Sequence, residues 1–137
     1  MDLDQLKTIS ALKHQRSQKA LTDVINRENE LRHELDRMRL LARQTQAQDP
    51  EDAQLRAIGG DIIWLKWVAS VQKELNVSLA GILAQKEALL VRHRHETGRK
   101  IVAEKLANQN RITRSIRDNE AQLQSAILHN LQKPQDQ

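Results

Sequence analysis

The chain of 137 residues is long enough for one compact domain, but its composition is typical of long helices. It contains two aromatic residues, four Gly, two Pro and no Cys, and its net charge is +4. This composition excludes strand-rich sandwiches and barrels, disulfide scaffolds and cysteine-based metal or thiol chemistry. Because most of the other residues are good helix formers, we predict an all-α fold that buries a stripe rather than a core.

The first predicted helix covers residues 1–46, since neither Gly nor Pro occurs between Leu3 and Gln46. Apolar residues recur there at alternating spacings of three and four, which is the period of a coiled coil. The clearest part of this stripe has one charged interruption and comprises Leu21, Val24, Glu28, Leu31, Leu35, Met38 and Ala42. Toward the N-terminus we expect it to continue through Leu3, Leu6, Ile9 and Leu12.

A connection is predicted over residues 47–60, where Asp49 and Pro50 form the strongest turn signal and Gly59 and Gly60 loosen the chain. A short helical piece is expected at about residues 51–58. The second long helix then covers residues 61–132, and residues 133–137 form a disordered tail. Gly98 lies inside this helix; a break there would give a three-helix bundle, but its surroundings favour continuity.

The second helix also carries an apolar stripe. It comprises Ile62, Leu65, Val68, Leu75, Leu79, Ile82, Leu89, Val102, Leu106, Ile116, Leu123 and Ile127. We therefore predict two long helices in an antiparallel coiled-coil hairpin, with the second helix longer by about 28 residues at the terminal end. Apolar residues on this overhang have no partner in the same chain and indicate a second chain or a receptor.

Catalytic and metal sites are not indicated by the sequence. His93 and His95 point to different faces of a helix and are interpreted as solvated side chains, and the isolated His14, His33 and His129 are assigned no role. The carboxylates, Glu28, Glu34, Asp36 and Glu104 among them, lie at helical spacing from Arg and Lys and are interpreted as surface ion pairs. We therefore expect no enzyme activity, no cofactor and no metal.

Two segments are candidate binding surfaces. Arg111, Arg114 and Arg117 are spaced by three beside Ile112 and Ile116, which is either a solvated basic face or a docking surface for an acidic protein or nucleic acid. Nucleic acid is the weaker option because no aromatic side chain is interleaved for stacking. Trp64 and Trp67 share a broad face with Val68, Val71 and Leu75; they either pack against the first helix or anchor a partner.

The pattern resembles the FliJ/YscO family of stalk proteins from flagellar and type III secretion export. The resemblance rests on the segment from Asp61 to Leu75, with Trp64 and Trp67 near the start of the second helix, and on the basic segment from Arg92 to Arg111. It implies a non-enzymatic stalk that inserts into a hexameric export ATPase and contacts the export gate's cytoplasmic domain and export chaperones.

The resemblance also implies roles for the candidate residues. The gate-like contact would comprise Trp64, Trp67, Val68, Val71 and Leu75, and the contact with the ATPase ring Arg111, Ile112, Arg114, Ile116 and Arg117. The alternative is a generic coiled-coil scaffold with a basic docking face for acidic partners or nucleic acid. We expect a monomer, with a homodimer as the alternative. The acidic N-terminus lacks a signal core, so we expect a cytoplasmic protein without a membrane span, peripheral at the inner-membrane export apparatus.

Overall fold

The computed structural model describes residues 2–47 and 59–133 and contains two long helices. Helix α1 covers Leu3–Gln46 and helix α2 covers Gly60–Gln132. No strand occurs in these described ranges. The predicted all-α antiparallel coiled-coil hairpin with a longer second helix is confirmed. The helical piece predicted at residues 51–58, and the tail beyond residue 133, lie outside the described residues.

Both helices begin with local features that satisfy free backbone groups. At the start of α1, the amide of Leu6 donates to the carbonyl of Asp2 at 3.0 Å, and the amide of Asp2 donates to Gln5 Oε1 at 3.4 Å. Before α2, the carbonyl of Gly59 accepts from the amide of Ile63 at 3.1 Å. Gly59 has a φ of 77°, a conformation that a residue with a Cβ adopts only with strain.

The hairpin packs as two units, and both helices contribute to each unit. In the unit of residues 16–93, the centre is the cluster of Leu31, Leu35 and Leu79, with Leu75 and Ile82 packed against it. These residues are four apart on α1 and four and three apart on α2, so successive turns add layers to the contact between the two helices. We call the row of covered positions along each helix the inner seam. The stripe predicted for α1 at Leu31 and Leu35 is confirmed.

The other unit comprises the described residues of 1–15 and 94–137, and small or polar side chains form its inner seam. The buried residues here are Ser10, Glu96, Ala103 and Ala107. The prediction that Ile9, Leu12, Val102 and Leu106 lie on the covered stripe is wrong, because all four are exposed. The same correction applies to Ile62 at the start of α2. The covered positions of α2 in this unit, Glu96, Ala103 and Ala107, are seven and four residues apart, which is the spacing of a heptad repeat.

Helix α2 runs without interruption through Gly81 and Gly98, so the predicted continuity at Gly98 is confirmed. Both glycines are exposed, and a Cβ at either position would have no atom within 4 Å. We therefore expect Gly81→Ala and Gly98→Ala each to raise the free energy of unfolding by about 0.5–1 kcal/mol. Thermal denaturation followed by circular dichroism measures this gain, and Gly59→Ala, at a positive φ, is the matched control that should lose stability.

Candidate partner-binding surfaces

The C-terminal part of α2 is uncovered on all sides. Every described residue from Arg111 to Lys133 is exposed, although the segment remains helical to Gln132. It includes six large apolar residues that are each at least half exposed: Ile112, Ile116, Leu123, Ile127, Leu128 and Leu131. Exposed apolar area on this scale favours association, so the segment is a candidate binding surface.

Four of these apolar residues form a single stripe along the helix. We call Ile112, Ile116, Leu123 and Ile127 the outer stripe, since their spacing keeps them on one face. That face lies roughly 120–170° around the helix axis from Glu96, Ala103 and Ala107. The outer stripe therefore faces away from the inner seam, and its exposure agrees with the prediction that apolar residues on the overhang have no partner in the same chain.

The arginine row, Arg111, Arg114 and Arg117, lies on the side of α2 that continues the inner seam beyond Ala107. Among the described residues, none of the three forms an ion pair with a carboxylate; Arg111 donates instead to Asn108 Oδ1. The five residues predicted as one ring contact thus divide between two faces of the same helix. A partner that contacts both sets must bind more than one side of α2.

A second exposed apolar surface lies at the start of α2. We call Ile63, Trp64 and Trp67 the tryptophan patch; their exposed fractions are 70%, 38% and 49%. The two indole rings stack with centroids 5.0 Å apart and an interplanar angle of 29°. Trp64 Nε1 also donates to Thr45 Oγ1 of α1 at 2.9 Å, while that hydroxyl donates to the Leu41 carbonyl. Trp64 is therefore fixed to α1, and Trp67 is held against it with half its surface open.

Three aliphatic residues predicted to share the tryptophan surface have a different role. Val68 is only 1% exposed and Leu75 packs against the core cluster, while Val71 is half-buried. Val68 and Leu75 are seven residues apart on the inner seam, so α1 already covers them. Val68 is therefore closed to a partner in the hairpin as it stands, and Leu75 presents only part of its side chain.

The inner seam also contains an ionic cluster that the sequence analysis placed on the surface. Glu28, buried on α1, accepts from Lys86 Nζ of α2 at 2.8 Å and from Arg32 Nη2 and Nε at 2.9 and 3.1 Å. Hydrogen bonds from Lys86 and then Arg32 lower the pKa of Glu28 below its ordinary value, against the opposing effect of burial. The interpretation of Glu28 as a surface ion pair is wrong, because its Lys86 partner lies across the hairpin.

Two further polar residues of α2, His93 and Glu96, lie on the inner seam. Ser17 Oγ and His93 Nδ1 share a hydrogen bond of 3.0 Å between the helices, so His93 is not a simple solvated side chain. Glu96 is 8% exposed; Arg99 lies 3.7 Å from its Oε1, and Oε2 has no hydrogen-bond partner. The spacing from Leu89 to His93 and Glu96 continues the heptad of α2, and this signal would have placed both on the inner seam.

The described residues contain no group of three His, Asp or Glu side chains that could hold a metal ion, and neither helix has a stretch long and apolar enough to cross a bilayer. Comparison of the chain with protein-family models, curated proteins and solved structures finds no match. The candidate surfaces therefore rest on the geometry of this chain: the outer stripe, the arginine row and the tryptophan patch.

Proposed function

We propose that this chain is a non-enzymatic coiled-coil stalk or adaptor of a flagellar or type III protein export apparatus. In this proposal, the C-terminal part of α2 enters a hexameric export ATPase. The observation that carries the proposal is the helix from Arg111 onward, which is exposed on every side and has an apolar face and a basic face. An annular partner contacts all sides of an inserted helix, whereas a flat partner contacts one.

The charge of this segment indicates the chemistry of the partner. The arginine row has no carboxylate partner among the described ion pairs, so its three guanidinium groups are available to acidic side chains of another protein. The outer stripe loses contact with water when a partner covers it, which supplies affinity, while the arginines supply orientation and rate of association. We infer that the ring lining combines carboxylates with aliphatic side chains.

The tryptophan patch supplies a second surface, at the opposite end of α2 in sequence. Tryptophan is enriched at the centres of protein interfaces because one rigid side chain buries a large area. In the proposed function, Trp67 and Ile63 contact the cytoplasmic domain of the export gate or an export chaperone. Trp64, held by Thr45, fixes the geometry of that contact.

The first test is binding to a purified hexameric export ATPase, with the rate of ATP hydrolysis measured as the chain is added. We expect the wild-type chain to bind and to raise the rate. Reversing the arginine row (Arg111→Glu, Arg114→Glu, Arg117→Glu) should weaken binding by about tenfold or more, because carboxylates then face carboxylates. The matched control reverses three exposed basic residues of α1 (Arg16→Glu, Lys19→Glu, Arg37→Glu) with the same change in net charge, and should bind normally.

Two results would contradict this proposal. If the wild-type chain neither binds the ATPase nor changes its rate, the stalk function is wrong. If both triple variants bind equally well, the arginine row is not the contact surface. The alternative, a scaffold for polyanions, is tested with a short DNA duplex: the stalk proposal expects weak binding that salt abolishes. Tight DNA binding at physiological salt would favour the scaffold.

A further inference from the structure

The outer stripe has a symmetric spacing. Successive members are four, seven and four residues apart, so the order of spacings is the same when α2 is followed in either direction. All four side chains are at least half exposed, and they lie on the face turned away from the inner seam. A second copy of the helix, placed antiparallel, therefore presents an apolar side chain opposite each apolar side chain of the first.

We propose that the outer stripes of two copies of this chain pair in antiparallel orientation, about an axis between residues 119 and 120. In this arrangement, Ile112 packs against Ile127 of the second copy, and Ile116 packs against Leu123. Each pair occurs twice because the contact is symmetric. The pairing goes beyond the proposed stalk function, which needs only one copy.

The polar centre of the stripe is complementary to itself. Asn119 and Glu120 interrupt the apolar spacing at the axis, where the Asn119 amide can donate to the Glu120 carboxylate of the second copy. Polar residues at single core positions set the register of coiled coils. A lipid surface or a wholly apolar helix would leave both groups unpaired, so these residues favour a second copy as the occupant.

Charge also matches across this contact. Neither Arg117 nor Glu120 belongs to an ion pair among the described residues, although they are three positions apart on the same helix. Arg117 lies at the edge of the arginine row, on the flank of α2 between that row and the outer stripe, and it is close to the axis. In the paired form, its guanidinium reaches Glu120 of the second copy, and the symmetry makes two such ion pairs.

The size of the contact sets its strength. The outer stripe is about 22 Å long on a helix about 10 Å wide, so pairing covers on the order of 500–800 Å² in total. Contacts of this size belong to weak, reversible associations. The same residues cannot pair with a second copy and line an annular partner at once, so binding to such a partner displaces the second copy.

Sedimentation equilibrium over a wide range of protein concentrations tests the pairing. We expect a reversible monomer–dimer equilibrium for the wild-type chain. Glu120→Arg should weaken dimerisation by about tenfold, since it places arginines opposite each other, and the charge swap Arg117→Glu with Glu120→Arg should restore it to within about threefold. Ile116→Asp with Leu123→Asp should leave only monomer, while Val77→Asp with Val91→Asp, at exposed positions elsewhere on α2, should not.

The antiparallel orientation of the two copies is tested by disulfide crosslinking. The native chain has no cysteine, so only the introduced cysteines can form a disulfide. Mixed Ile112→Cys and Ile127→Cys variants should form a disulfide-linked heterodimer on mild oxidation, while neither variant alone should crosslink efficiently. The proposal is overturned if the chain stays monomeric at all concentrations, if the dimer is unaffected by Ile116→Asp with Leu123→Asp, or if Ile112→Cys crosslinks to itself. Circular dichroism of every variant confirms that helicity is retained.

Discussion

Replacing Leu31 with alanine is expected to lower the free energy of unfolding by about 3 kcal/mol. Leu31 is 1% exposed and lies in the cluster with Leu35 and Leu79, so truncation removes contacts with both helices and leaves a cavity. In a two-helix hairpin no third element packs against this cluster, so no neighbouring side chains can move in to fill the cavity. Urea denaturation followed by circular dichroism measures the change as a lower midpoint with an unchanged slope.

Leu40→Ala is the matched control, because Leu40 lies in the same helix and is 54% exposed. The same substitution there should change the free energy of unfolding by no more than about 0.5 kcal/mol. Equal losses at Leu31 and Leu40 would contradict the inner seam described here, since they would mean that both positions are covered to the same extent.

The architecture follows from sequence because helix-forming composition and apolar spacing agree over much of both helices. No Gly or Pro interrupts α1, the two interior glycines of α2 are tolerated, and apolar spacings of three and four occur in both helices. Leu31, Leu35 and Leu79 combine the right position with an apolar side chain, so pattern and burial coincide. Long helices with a strong heptad are the easiest elements to predict from sequence.

The predicted set of covered residues was wrong where a heptad position that faces the other helix is occupied by a polar or small residue. Between Glu96 and Ala107 the covered positions carry polar or small residues, while Val102 and Leu106 are exposed. Apolar spacing alone points to Val102 and Leu106. In the structure the first set is covered and the second is exposed, because the covered positions keep the heptad spacing even where their side chains are polar or small.

The candidate surfaces were only partly predictable for the same reason. Trp64 and Trp67 stand out by composition, but separating them from Val68 requires the heptad register, which places Val68 inward and Trp67 outward. The arginine row and the outer stripe can likewise be assigned to different faces of α2 only when the face that α1 covers is known. Once that face is known, the apolar residues it leaves exposed become the positions where a partner is expected.

The ionic cluster on the inner seam should make the stability of the hairpin depend on pH. Hydrogen bonds from Lys86 and Arg32 favour the charged form of Glu28, so its pKa in the folded chain is lower than its ordinary value of 4.5. A lowered pKa contributes stability that is present above that ordinary value and is lost as the pH falls through the folded-state pKa. We expect the melting temperature to fall across this acidic range.

Lys86→Met should remove most of the stability that the lowered pKa of Glu28 contributes, while it keeps an unbranched side chain of similar length. The buried carboxylate of Glu28 then lacks its partner across the hairpin, so the melting temperature at neutral pH should fall below that of the wild type. In acid, Glu28 is protonated in both proteins, so the difference between their melting temperatures should shrink. Thermal denaturation of both proteins over a series of pH values measures this convergence.

Glu30→Gln is the matched control for Glu28→Gln, since Glu30 pairs with Arg27 on the same helix and both side chains are more than half exposed. An exposed pair contributes little, so Glu30→Gln should leave the acid transition unchanged, whereas Glu28→Gln should flatten it. The double variant Glu28→Gln with Lys86→Met should be more stable than the sum of the single effects, because removing both partners leaves no buried charge. If the two effects simply add, the carboxylate and the ammonium group do not act as a pair across the hairpin.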